Sequence, residues 1–170
     1  MTKLQLKHDR KAILYAPTFR DYAMDTVSDQ VIKTLDTLAQ KYTVLVREHY
    51  FSNVDFPGTV IDVSSYPDVN ELMIASDLLI TDYSSILFDY ALLHKPIFLY
   101  LYDWEQYAQY RGFYTSPIAL KLPYAYDGTA LVDAIANVKS YDYGVLTKLV
   151  TKYQADNQSI VAIKKLLLAS

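Results

Sequence analysis

Short, unbroken apolar runs alternate along this chain with segments of helical period. Ala12-Ile13-Leu14-Tyr15-Ala16 reads as a first strand, stopped by Pro17. In the segment from Val27 to Lys41, Val31, Leu35 and Leu38 recur at steps of four and three, which places them on one helix face. Thr43 to Arg47 predicts a second strand and Thr59 to Val63 a third. A short helix follows over Val69 to Ser76, then a fourth strand over Leu78 to Thr81. A helix over Ser84 to Leu93 and a fifth strand over Pro96 to Tyr100 complete the regular part. Beyond Trp104 the pattern becomes aromatic and less regular, with further helices predicted over Gly128 to Val138 and Asn157 to Leu168.

Runs such as Val44-Leu45-Val46 do not alternate with polar residues, so their strands are buried on both faces, as in a parallel sheet covered by helices. Alternation of strand and helix makes the expected fold a doubly wound, Rossmann-like α/β domain with helices on both faces of the sheet. A length of 170 residues fits one domain. The chain opens almost directly on its first strand, as a fragment cut at a domain boundary would.

Composition narrows the function classes. A hydrophobic content of 52% with 21% charged residues supplies a sizeable core. The net charge of -3 gives nucleic acid no electrostatic support as a partner. Absence of cysteine removes disulfides, thiolate metal sites and a cysteine nucleophile, and fits a cytoplasmic location. No apolar run approaches the roughly 20 residues that span a bilayer, so membrane contact is expected to be peripheral at most. With four glycines in all, the chain has neither a Gly-x-Gly-x-x-Gly turn nor a Gly-Lys-Ser/Thr phosphate loop. It also lacks a zinc spacing and a Gly-x-Ser-x-Gly elbow, and no cofactor is expected.

Ligands of open parallel sheets bind outside the carboxyl ends of the strands. The residues there are Thr18 and Arg20 after the first strand, Arg47 and His49 after the second, and Ser64 and Ser65 after the third. Asp82-Tyr83-Ser84-Ser85 follows the fourth, and Tyr102-Asp103 then Arg111 the fifth. Ser84 and Ser85 open a helix, where hydroxyls, free N–H groups and the helix dipole suit a phosphate. An ordinary N-cap at Asp82 or Ser84 is the competing reading. His49, beside Arg47, either donates to a phosphate or protonates a leaving oxygen, or else is a plain surface histidine. Arg20 and Arg111 are candidate phosphate forks, with surface ion pairing as the alternative. The aromatic stretch from Tyr100 to Tyr114 either stacks a base or packs over a sheet edge.

Taken in order, Ile13-Leu14-Tyr15-Ala16-Pro17-Thr18-Phe19-Arg20-Asp21, Ile80-Thr81-Asp82-Tyr83-Ser84-Ser85-Ile86-Leu87-Phe88-Asp89-Tyr90, Lys95-Pro96-Ile97, Tyr102-Asp103 and Arg111-Gly112-Phe113-Tyr114 resemble one family. It is the C-terminal half of the CDP-glycerol glycerophosphotransferases, the teichoic-acid primases and polymerases of Gram-positive bacteria. The resemblance implies one half of a GT-B fold, with a CDP-alcohol such as CDP-glycerol as donor. Glycerol phosphate would pass to a poly(glycerol phosphate) acceptor, with release of CMP at the inner face of the membrane. It further implies that Ser84 and Ser85 hold the donor phosphates and that His49 stabilises the pyrophosphate or leaving CMP. Thr18 and Arg20 would face the cleft. The general base and the acceptor site would belong to an N-terminal half, without which this chain alone would be inactive. One departure stands out: Gln154-Ala155-Asp156-Asn157-Gln158-Ser159-Ile160 lacks the glycine and arginine that the family often carries there. A docking module of degenerate Rossmann type and the donor half of a nucleotide-sugar glycosyltransferase are the rival readings.

Overall fold

The computed structural model describes residues 10–20, 29–48, 56–113 and 115–153. Its strands are β1 (Ala12–Tyr15), β2 (Thr43–Val46), β3 (Ile61–Asp62), β4 (Leu78–Thr81), β5 (Ile97–Tyr100) and β6 (Tyr124–Ala125). The helices are α1 (Asp29–Ala39), α2 (Val69–Ala75), α3 (Ile86–Ala91), α4 (Trp104–Tyr110), α5 (Gly128–Ala136) and α6 (Gly144–Tyr153). All strand pairs are parallel, and the spatial order is β3-β2-β1-β4-β5-β6. From β1 the chain builds outward to β3, then returns to β4 beside β1 and builds the other way. That reversal between β1 and β4 is the topological switch point, where doubly wound sheets open a crevice.

Every residue of β1, β4 and β5 is buried, so the unbroken apolar runs do mark strands covered on both faces. The cover comes from α1 packed against α5, and from α3 packed against α6. Val31, Leu35 and Leu38 of α1 are all buried, as their spacing predicts. Each such side chain contributes roughly 1.5–3 kcal/mol by leaving water. Polar seams lock the layers: Tyr100 of β5 shares a hydrogen bond with Thr34 of α1 (3.2 Å), and Tyr90 of α3 with Ser76 after α2 (3.0 Å).

Differences from the sequence expectation have local causes. The third strand pairs over Ile61–Asp62 alone, because residues 58–59 form a turn. Region 104–153 is more regular than expected. In α4 only Tyr107 is buried, so no apolar stripe marks that helix, and β6 is two residues long. In α6 the buried Val145, Leu146 and Leu149 do keep a helical period. The helix expected over Asn157 to Leu168 lies outside the described residues.

Gly128 is where the α1–α5 contact is tightest. A Cβ there would stand 1.9 Å from Thr34 Oγ1, which is held by Gln30 O (2.6 Å) as well as by Tyr100. Gly128→Ala is expected to destabilise the domain by about 1–3 kcal/mol in urea unfolding. Pairing it with Thr34→Ala should recover part of that loss, since the obstructing hydroxyl is then gone.

Candidate functional site

Two short loops meet at the switch point. Residues 16–20 leave β1, and Asp82-Tyr83-Ser84-Ser85 leaves β4. Pro17 ends β1, and two bonds then extend the β1–β4 contact past the ladder. Ala16 N donates to Ile80 O (3.0 Å) and Thr81 Oγ1 donates to Ala16 O (2.6 Å). Asp82 comes next and is 1% exposed, so its carboxylate must be satisfied by protein groups. It accepts from Thr18 N (2.8 Å), Thr18 Oγ1 (2.7 Å), Tyr83 N (2.5 Å) and Arg20 Nη1 (2.6 Å).

Arg20 extends the network to a third loop. Its Nε and Nη2 form a fork on Asp103, just beyond β5, at 2.9 and 3.1 Å. Its Nη1 also donates to Thr18 O. Tyr83 Oη adds a hydrogen bond to Asp103 (3.1 Å), and the guanidinium carbon lies 5.3–5.6 Å from the rings of Tyr83, Tyr102 and Tyr107. Tyr83 and Tyr107 are themselves stacked, with centroids 3.7 Å apart. Burial works to lower the Arg20 pKa, but Asp82 and Asp103 more than offset it and hold the guanidinium charged.

Among the site residues read from sequence, Thr18, Arg20 and Asp82 therefore share one buried network, with Ser84 and Ser85 directly following. Arg20 is neither a surface ion pair nor an open fork here, because its donors are directed at protein carboxylates and a carbonyl. Two carboxylates against one guanidinium leave this cluster net negative. Ser85 is exposed and makes no side-chain cap bond, while Ser84 Oγ accepts only a long bond from Ile86 N (3.4 Å). The N–H groups of Ser84 and Ser85 donate to no described acceptor. The Ser85 hydroxyl and these N–H groups thus stand at the start of α3, by the switch point, without a described partner.

The other predicted cations belong to neighbouring segments. Arg47 Nη1 donates to Tyr66 O (2.6 Å), tying the segment after β3 to the end of β2. Arg111 closes the far end of α4, exposed, and its charge reaches Tyr107. His49 and residues 154–160 lie outside the described residues. Asp103 and Tyr83 were visible in the sequence as residues after a strand, but nothing local marked them as partners of Arg20. The available signal was chemical, since a cation entering a buried rim needs a carboxylate on a neighbouring loop.

Known proteins resemble this chain in sequence and in fold. A family described as CDP-Glycerol:Poly(glycerophosphate) glycerophosphotransferase matches residues 1–159. A teichoic acid glycerol-phosphate transferase of Staphylococcus aureus is 38% identical over 149 residues, 81% of this chain and 38% of its own length. A teichoic acid poly(glycerol phosphate) polymerase of Staphylococcus epidermidis is 44% identical over 126 residues, 66% of this chain and 18% of its own. Among solved structures, a variant of the wall teichoic acid polymerase TagF superposes with a TM-score of 0.77 at 31% identity, over 98% of this chain and 45% of that one. A TagF variant soaked with CDPG gives 0.74 at 34% identity, over 86% and 39%. The calicheamicin glycosyltransferase CalG4, at 8% identity and a TM-score of 0.62, shares the fold alone. This chain thus spans less than half the length of each of these proteins.

Two outcomes follow from the network. Arg20→Ala leaves two carboxylates without their cation and should cost about 3–5 kcal/mol in denaturant unfolding. Arg20→Lys should restore little of it, because an ammonium cannot fork onto Asp103 while holding Asp82. The second outcome concerns alkali. Burial raises the Tyr83 and Tyr102 pKa values well above the ordinary range, with Asp103 reinforcing both, and pushes Tyr141 up to about 12. The unfolded chain loses these protons first, at about pH 10. Stability should therefore be complete below about pH 10 and fall as pH rises beyond it, read as a dropping urea midpoint.

Proposed function

This chain belongs to the CDP-Glycerol:Poly(glycerophosphate) glycerophosphotransferase family, and on that premise we propose that it is the donor-holding half of a teichoic-acid glycerophosphotransferase of GT-B type. The observation that carries the reading is the pairing of a parallel-sheet switch point with the Ser85 hydroxyl and the Ser84 and Ser85 N–H groups, none of which has a described partner. A CDP-alcohol, CDP-glycerol first among them, lies across the crevice with its phosphates at these groups. An acceptor hydroxyl of a poly(glycerol phosphate) chain attacks the phosphorus that carries glycerol. The new P–O bond forms as the bond to the CMP oxygen breaks, and the hydroxyl proton leaves to a base on the other half of the enzyme.

Negative charge grows on the departing CMP phosphate, and fixed donors aimed at it lower the barrier. Ser84 and Ser85 supply hydroxyls and backbone N–H groups for this. His49, following β2, is the group that stabilises the pyrophosphate or the leaving oxygen. Thr18, Arg20 and Asp82 frame the crevice and hold the serine loop in place. Arg47 and Arg111 add positive potential along the rim. This half binds donor, and catalysis requires the complementary half.

Calorimetric titration with CMP, CDP-glycerol and UDP-glucose tests the reading. Cytidine compounds should bind selectively, and Ser84→Ala, Ser85→Ala and His49→Ala should each weaken CDP-glycerol by about tenfold or more. Absence of cytidine binding by the folded chain, or a preference for UDP-glucose, would sink it.

A further inference from the structure

Away from the crevice, a groove runs between α6 and the 3-10 turn Pro117–Leu120. Leu120, Val145 and Leu149 line its floor, and Lys121, Lys148 and Lys152 stand exposed along it. None of the three lysines pairs with a described carboxylate. The acid that also lines the groove, Asp142, accepts from Gly144 N (2.8 Å) at the start of α6. Lys152 Nζ rests 4.9 Å over the Tyr153 ring.

Two local rules are broken to place these charges. Lys148 and Lys152 are four apart on one helix, where like charges repel. Lys121 takes a left-handed backbone (φ 63°), which glycine or asparagine adopts at lower cost. The whole chain is acidic, with a net charge of -3, so this basic line is a local concentration rather than a general property.

The groove also leads somewhere. The Tyr153 ring meets Phe88 of α3, with centroids 4.9 Å apart, and Phe88 N is bonded to Ser85 O (3.0 Å). The Lys152 end is therefore next to the first turn of α3, and the groove descends from there along α6. We propose that this groove is the track of the polymer, binding the phosphodiester backbone of the poly(glycerol phosphate) chain as it leaves the crevice. The proposal rests on the phosphotransfer reading above.

Spacing agrees with that occupant. Residues four apart on a helix are about 6 Å apart along its axis. A three-bond backbone span reaches about 3.8 Å, so a six-bond glycerol phosphate repeat separates its charges by at most about 7.6 Å. Lysine suits a chain that must advance, because its hydrated point charge attracts phosphate without a fixed bidentate geometry. A groove with an apolar floor admits a single flexible chain, whereas a flat bilayer surface cannot enter it.

The test uses the full chain and a defined poly(glycerol phosphate) oligomer of several repeats. Replacing the three lysines together (K121Q, K148Q, K152Q) should weaken oligomer binding by about tenfold and flatten its salt dependence. CMP affinity and the melting temperature should stay as they were. If the native chain does not bind the oligomer, or the variant binds it equally well, the proposal falls. It also falls if the lysines matter for phosphatidylglycerol vesicles and not for the oligomer. Lysine-dependent oligomer binding without any CMP binding would sustain the groove while removing the donor-site reading, so the two failures are separable.

Discussion

A guanidinium taken out of water must find its counter-charges inside the protein, and those of Arg20 come from two different loops. Asp82 follows β4 and Asp103 follows β5, while Arg20 itself follows β1. One side chain thereby fixes the relative positions of three strand ends at the rim of the sheet. The rings of Tyr83, Tyr102 and Tyr107 close around it and exclude water, which strengthens both ion pairs. Such a cluster gains little net stability over a well-packed apolar one, but it tolerates only one arrangement of its members.

Division of labour at the rim follows from charge. Phosphate recognition often falls to arginine, yet here the arginine faces carboxylates and is part of the frame. On the proposed reading, the groups closest to the donor phosphates are neutral and directional: two serine hydroxyls and the N–H groups at the head of α3. Donors of this kind hold an anion by geometry, and they stay in place when charge moves from one phosphate oxygen to another during transfer. Exposed lysines also gather away from the rim, at Lys121, Lys148 and Lys152.

Much of this architecture was legible in the residues. Val44-Leu45-Val46 and Leu78-Leu79-Ile80 announce strands buried on both faces, and Val31, Leu35 and Leu38 announce a helix packed on one side. Ordered motifs from Ile13 to Tyr114 pointed to the family that residues 1–159 match. What could not be read was pairing at long range. Nothing near Arg20 shows that its fork closes on Asp103, because that contact depends on three loops arriving at one place. Helix α4 was missed since a single buried tyrosine gives no stripe, and β6 since two residues give no pattern. The lysine groove was illegible for a related reason: Lys121 and Lys148 become neighbours only once α6 folds back along the turn at Pro117.

Bonds that define the rim also set when it can exist. Thr18 and Asp82 are separated by 64 residues, and Arg20 and Asp103 by 83. Contacts of such long sequence separation form late, because the loop between them must be closed first. During synthesis, β1 emerges long before β4, its neighbour in the sheet, and waits beside β2 alone. Until Asp103 has followed, Arg20 lacks one of its two carboxylates and keeps water around itself. The rim therefore closes only after β4 and Asp103 have emerged, later than the β1–β2 pair it is built on.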